Sequence, residues 1–114
     1  MMEVATWMNE KYGDGTFEID VKDQYYNLYE VLKDKPEIIE LAKKAMKEAG
    51  IDPIIRPVRG GTDGSRLTFM GLPTPNLFTG GHNYHGPYEY IVVESMEKAV
   101  EVIINIATIA AQGA

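Results

Sequence analysis

The 114-residue sequence contains no cysteine and only two histidines, His82 and His85. Disulfide bonds and thiolate metal sites are therefore excluded, and a metal ligand must be a histidine or a carboxylate. No run of about 18 apolar residues is present, so we expect no membrane-spanning helix. The N-terminus carries the acidic Glu3 and no basic segment, which argues against a signal peptide and for a cytoplasmic protein.

Positive charge is also scarce. Eleven lysines and arginines face 17 aspartates and glutamates, which gives a net charge of −6. Nucleic-acid binding needs clustered basic side chains, so we expect no nucleic-acid partner. The apolar fraction of 45% is that of an ordinary globular protein. These counts exclude several classes of protein without selecting a function.

Apolar periodicity predicts three helices. The first spans Met1–Tyr12 and ends at Gly13, and the second begins with Pro36 at its first turn and ends at Gly50. Ser95 is the expected N-cap of a C-terminal helix. The second helix has one apolar face, formed by Ile38, Ile39, Leu41, Ala42, Ala45, Met46 and Ala49. The residues expected to face inward on the C-terminal helix are Met96, Ala99, Val100, Ile103, Ile106 and Ala107.

Four segments have the composition of strands. Alternating apolar and charged residues predict a half-buried strand over Thr16–Lys22, and Pro53–Val58 is a short apolar run that suits a buried strand. Shorter strands are expected at Asn76–Thr79 and Tyr90–Val93. Residues 23–33 fit a helix and a strand equally well.

The expected fold class is α/β. From residue 34 onward, helices alternate with strands, which predicts a partly parallel sheet covered by helices. The preceding residues are more typical of half of an α+β unit. A parallel sheet of two or three short strands is too narrow to be a complete α/β domain. We therefore interpret the chain as part of a truncated domain.

The first candidate site is the segment R-P-V-R-G-G-T-D-G-S-R-L, residues 56–67. Its two glycines allow the backbone to approach a ligand closely. Thr62 or Asp63 can cap a short following helix. Arg59 can form two parallel hydrogen bonds with a carboxylate. The segment is equally consistent with a tight strand-to-helix turn that carries a surface arginine.

The second candidate site is L-F-T-G-G-H-N-Y-H-G-P-Y-E-Y, residues 77–90, which holds both histidines. Neutral imidazole is a common zinc ligand, and loops at strand ends often carry metal sites. His82 follows two glycines and is expected to point outward freely. Glu89 could orient a ligating histidine or face water. Two exposed loop histidines without a ligand remain the simplest alternative.

Together these two segments resemble the C-terminal part of the peptidase T family of dizinc metallopeptidases. The combination of R-G-G-T-D-G with F-T-G-G-H-N-Y-H-G carries the likeness. The segments D-V-K-D-Q-Y-Y-N and P-E-I-I-E-L-A-K-K-A-M-K-E-A-G-I extend it over essentially the whole chain.

The resemblance implies a catalytic domain with two zinc ions and an inserted lid domain that mediates homodimerisation. Residues 1–23 would then be the last helix and strand of the lid, 24–33 a linker, and 34–114 the C-terminal part of a catalytic domain with a zinc-peptidase-like fold. His85 matches the family's C-terminal zinc ligand. Arg59 matches a residue that holds the C-terminal carboxylate of a small peptide substrate.

The family's other zinc ligands and its catalytic glutamate are expected upstream of this chain. We therefore expect the parent protein to be a tripeptide aminopeptidase, and this chain alone to be inactive, with no catalytic residue of its own. One alternative is a related zinc carboxypeptidase or amidohydrolase of the carboxypeptidase G type. Another is an interaction module without chemistry.

Overall fold

The computed structural model describes residues 1–113, and within them the chain forms five helices and two very short strands. The helices are α1 (Met2–Tyr12), α2 (Tyr29–Leu32), α3 (Pro36–Glu48), α4 (Asp63–Phe69) and α5 (Val93–Ala111); the strands are β1 (Gly81–His82) and β2 (Tyr90–Ile91). The radius of gyration is 20.4 Å, whereas a compact domain of this length has about 13 Å. The chain is therefore extended.

Helices α3 and α5 form the hydrophobic core. Its buried hydrophobic residues are Ala45 on α3, Ala49 at the C-terminal end of α3, and Val102 and Ile109 on α5. Every residue of the predicted apolar face of α3 is buried or half-buried, as expected. Pro36 occupies the first turn of α3, where its missing N–H costs nothing. The sequence thus predicted this helix and its orientation correctly.

Two polar side chains of α5 also reach across to α3. The Lys98 ammonium donates to the carbonyl of Ala49 over 2.9 Å. The Asn105 amide donates to the carbonyl of Ala45 over 3.2 Å. Ala49 is the C-cap of α3, so Lys98 places a positive charge where the helix dipole favours one. These two contacts fix the register of the helix pair.

The predictions for α5 were correct in part. The helix begins at Val93, and its N-cap is Val92 instead of Ser95. Ala99 and Ile106 are half-buried as predicted, but four other residues predicted to face inward are exposed: Met96, Val100, Ile103 and Ala107. Because α5 is apolar on more than one side, periodicity alone selected the wrong side. The side that carries Val102 and Ile109 packs on α3.

Three of the four predicted strands are not formed within residues 1–113. Residues 16–22, 53–58 and 76–79 lack strand assignments. Part of the fourth predicted strand forms β2, which pairs antiparallel with β1. A strand must pair its backbone N–H and C=O groups with a neighbour, and these segments have none beside them. The observed sheet is therefore a two-residue antiparallel pair and not a parallel layer.

The N-terminal region folds locally. Helix α1 forms as predicted, ends at Gly13 and buries no residue. The following segment returns along it, since the Asn9 side chain accepts from the Phe17 N–H over 2.8 Å and donates to the Phe17 carbonyl over 3.0 Å. Tyr12 and Phe17 lie with ring centroids 6.4 Å apart. None of the helices within residues 1–113 combines the length and apolar character needed to cross a bilayer.

Candidate functional site

The two histidines lie on a short hairpin. β1 and β2 pair with Gly81 opposite Ile91 and His82 opposite Tyr90. The connecting residues form two successive turns, in which the Gly86 N–H donates to the Asn83 carbonyl and the Glu89 N–H donates to the Gly86 carbonyl, over 3.1 and 3.2 Å. The loop between the strands therefore has a defined backbone path.

His85 lies at the apex of this hairpin in a left-handed conformation, with φ of 65°. For a residue other than glycine this conformation costs about 1 to 2 kcal/mol. The His85 N–H donates to the Glu89 carboxylate over 2.8 Å. Its imidazole is exposed and makes no hydrogen bond within residues 1–113. Glu89 thus contacts the backbone of His85 and not its ring, although the sequence had suggested that Glu89 could orient a histidine ring.

His82 has a different environment. Its ring stacks on Tyr90 with centroids 5.0 Å apart and an angle of 16° between the planes. Cross-strand ring pairs of this kind stabilise antiparallel strands. The His82 side chain is exposed to solvent, as expected, but it is not free, since its ring is held against the partner strand.

Two glycines allow close packing, one between the hairpin and α5 and the other within the hairpin. A Cβ atom at Gly80 would collide with the Ser95 side chain at the start of α5. A Cβ atom at Gly81 would lie 2.7 Å from the Tyr84 ring. The Tyr84 hydroxyl in turn shares a hydrogen bond of 2.9 Å with Thr79. Glycine is needed at both positions because the hairpin packs this closely.

Arg59 lies in the loop before α4. Thr62 is the N-cap of that helix, and its hydroxyl accepts from the Ser65 N–H over 3.3 Å, as the sequence predicted. Arg59 is exposed and forms no ion pair within residues 1–113. Its guanidinium is thus available to an external carboxylate.

Two tyrosines that were not expected to be site residues pack against this loop and the helix that follows it. Tyr25 lies on Gly61 so closely that a Cβ atom there would be 2.7 Å from the ring. Tyr26 meets Phe69 of α4 edge-on, with centroids 5.5 Å apart. No local sequence signal indicates these contacts, because the partners lie far apart along the chain. They connect residues 24–33 to the Arg59 loop through Tyr25 and to α4 through Tyr26.

A cleft of about 810 Å³ lies beside the Arg59 loop. It runs between α2, α3 and the extended residues 53–58, and its walls are mostly apolar. Among its lining residues are Tyr29, Leu32, Ile39, Met46, Ile55 and Leu77. Its polar lining residues include Thr62 and Asn76.

The structure does not join the two candidate sites directly. Within residues 1–113, no hydrogen bond or ion pair connects Arg59 with the His85 hairpin. No three His, Asp or Glu side chains in that range lie close enough together to hold a metal ion. His85 fits the role of a single donor, because its ring is accessible and its backbone is fixed. The described residues do not supply a complete ligand set.

Comparison with known proteins gives a consistent result. The chain is 61% identical over 110 residues to peptidase T of Clostridium perfringens strain SM101, a match that covers 96% of this chain and 27% of that protein. It is 57% identical over 114 residues to peptidase T of Shouchella clausii, with 99% and 28% covered. With peptidase T of Caldanaerobacter subterraneus the identity is 62% over 99 residues. The chain spans about a quarter of the length of these relatives.

The family model that describes peptidase family M20/M25/M40 matches residues 2–108. This range includes both candidate loops and all of the helices apart from the last residues of α5. The chain therefore belongs to the M20/M25/M40 peptidase family.

Proposed function

We propose that this chain is the C-terminal part of a zinc-dependent tripeptide aminopeptidase, which releases the N-terminal residue of small peptides. The observation that carries the proposal is the 61% identity to a peptidase T over 96% of the chain. Because the chain spans 27% of that relative, the activity is proposed for the whole protein. The chain alone is expected to be inactive.

The domain division follows the same proposal. Residues 1–23 would end the lid through which the parent forms a homodimer, 24–33 would link the domains, and 34–114 would complete the catalytic domain. The exposed apolar side of α5 supports the placement of residues 34–114 in a larger domain, since Val100 and Ile103 are each 56% exposed. Apolar surface of this kind is normally covered by a neighbouring element. Further strands of an α/β layer would cover it.

His85 is the proposed zinc ligand. A neutral imidazole offers one lone pair to a metal, and the fixed backbone of the hairpin limits the directions in which this ring can point. When bound, two zinc ions would activate a water molecule and polarise the scissile carbonyl. The other ligands and the catalytic base would come from residues outside this chain.

Arg59 is the proposed substrate-binding residue. Its planar guanidinium can donate two parallel hydrogen bonds to the C-terminal carboxylate of a peptide, which a lysine could not do with the same geometry. The position of Arg59 is supported by the double glycine that follows it and by Tyr25, which packs on Gly61. Arg59 would thus orient the peptide and leave metal binding to other residues.

The carboxypeptidase G alternative receives less support. Each of the three relatives described above is named peptidase T. An aminopeptidase that acts on short peptides in the cytoplasm therefore remains the preferred proposal for the parent.

The test uses the full-length protein that contains this chain, with three variants. His85→Ala should lower zinc content and activity together, since a donor is lost. Arg59→Ala should keep its zinc while the KM for a tripeptide rises by about 10-fold or more, as expected when a charged hydrogen-bonded pair is broken. Zinc is measured by atomic absorption on purified protein, and kinetics by release of the N-terminal residue.

His82→Ala is the matched control, because it removes the other imidazole of the same hairpin, three residues before His85. It should retain zinc near the wild-type content. Loss of zinc in His82→Ala with full zinc in His85→Ala would refute the proposed ligand. Unchanged KM in Arg59→Ala would refute the proposed substrate contact.

A further inference from the structure

The Glu89 carboxylate has no counterion within residues 1–113. Its observed contact is the 2.8 Å hydrogen bond from the His85 N–H. Such a bond to an ionised acceptor is stronger than one between neutral groups. Glu89 directly precedes β2, so its backbone is tied to the hairpin stem. The bond therefore connects the apex of the loop to its base.

His85 needs such a restraint because of its conformation. With φ of 65°, its Cα–Cβ bond points in a direction that an ordinary negative φ would not give. Asn83 shares the left-handed conformation, with φ of 56°, and asparagine and histidine are both among the residues enriched there. The conformation still costs free energy at a residue with a side chain. The carboxylate of Glu89 supplies the compensation from four residues away.

We propose that Glu89 is a positioning residue: by accepting the His85 N–H it holds that residue in the left-handed conformation and so aims the imidazole. The proposal rests on the proposed role of His85 as a zinc ligand and adds the group that sets its direction. Glu89 acts here through the backbone, and it touches neither the metal nor the substrate.

Other contacts in the loop do not replace this one. The Asn83 side chain donates to the Tyr88 carbonyl over 3.3 Å, which is long for a strong bond. The turn bonds to Asn83 and Gly86 carbonyls fix the residues on either side of His85 but leave its own N–H unpaired. Removal of the Glu89 carboxylate would therefore free this N–H and allow the backbone to relax to negative φ.

The experiment compares Glu89→Ala, Glu89→Gln and Glu97→Ala in the full-length protein. Glutamine keeps an oxygen acceptor but removes the charge, whereas alanine removes both. Glu97 is an exposed carboxylate on α5 and serves as the control. Two quantities are measured: hydrogen–deuterium exchange of the peptide that covers residues 83–89 in metal-free protein, and zinc affinity by competition with a chelator.

Glu89→Ala should speed exchange in this peptide and weaken zinc binding by about 10-fold or more, as expected when a group that orients a ligand is lost. Glu89→Gln should show the slow exchange of wild type and most of its affinity, and Glu97→Ala should match wild type in both. If Glu89→Gln keeps the slow exchange of wild type but loses zinc affinity as Glu89→Ala does, the charge and not the hydrogen bond sets the affinity, and the proposal is overturned.

The remaining outcomes separate this proposal from the proposed function. If Glu89→Ala keeps wild-type zinc affinity while His85→Ala loses zinc, His85 is a ligand and Glu89 does not aim it. If His85→Ala keeps its zinc, the ligand assignment fails and the positioning role fails with it. The positioning role of Glu89 and the ligand role of His85 are both supported if Glu89→Ala shows faster exchange and weaker zinc binding while Glu89→Gln and Glu97→Ala do not.

Discussion

The helix pair α3–α5 and the N-terminal residues 1–27 differ in what stabilises them. In the pair, Ala45 and Val102 are fully buried against each other's helix. Along residues 1–27 no side chain is buried, although α1 has three helical turns and Trp7. An isolated helix of fewer than about 12 residues is only marginally stable in water. The contrast teaches that helical sequence suffices for local structure, whereas lasting stability here comes from a partner helix.

The largest effect on stability is expected when one core side chain of the helix pair is shortened. Val102→Ala removes two methyl groups from a site with no solvent exposure. It should lower the free energy of unfolding by about 2 kcal/mol, from lost burial and the cavity left behind. Urea unfolding followed by circular dichroism measures the effect.

Val100→Ala is the matched control, since it makes the same chemical change two residues earlier on the same helix at a site that is 56% exposed. It should change stability by less than about 0.5 kcal/mol, because alanine favours helix and little burial is lost. Equal losses from both substitutions would mean that α5 packs on both sides in solution.

Deletion of residues 1–22 should have a smaller effect. The deleted part buries no side chain, and the contacts of Tyr25 with the Arg59 loop and of Tyr26 with Phe69 of α4 remain. We expect the unfolding free energy of the α3–α5 pair to stay within about 0.5 kcal/mol of the intact chain. A large loss of stability on deletion would show that α1 packs on the core in solution.

The smallest expected effect lies between the two regions, at Lys33 beside α2. The hydrogen bond and charge of Glu30, 2.9 Å away, raise the pKa of Lys33 above its ordinary value. Because the folded-state pKa is raised, the pair stabilises the fold fully below pH of about 10.4 and loses this effect as pH rises through the folded-state pKa. Glu30→Gln should return the pKa towards its ordinary value in an NMR titration. An unchanged titration would refute the pair, whose exposed position keeps its contribution to stability small.

How much of the fold the sequence predicted depends on whether each segment found its partner within this chain. The apolar face of α3 was predicted completely because it has partners within this chain: α5 covers part of it, and α2 with residues 53–58 faces the rest across the cleft. Residues 16–22 had an equally clear alternation, yet no strand lies beside them in the part of the chain that the structure describes. For α5, periodicity could not distinguish two apolar sides, and the choice was made by packing on α3.

The candidate site was predictable in residue type and less so in geometry. Residue types and their order indicated His85 and Arg59, and whether they act as proposed awaits the experiments above. The left-handed backbone of His85 and its bond to Glu89 could not be read from the sequence, since both arise from the particular turns of residues 83–89. The Tyr25–Gly61 contact likewise joins residues 36 positions apart, which no local pattern specifies.

The hydrogen bonds from Lys98 to Ala49 and from Asn105 to Ala45 also bear on the order of folding. They join residues 49 and 60 positions apart. Both candidate loops lie in the stretch that these bonds enclose, and closing a stretch of this length costs about 3 kcal/mol of chain entropy before its contacts form. Contacts of such long range slow folding. The relative placement of the loops that carry Arg59 and His85 therefore depends on the pairing of α3 with α5.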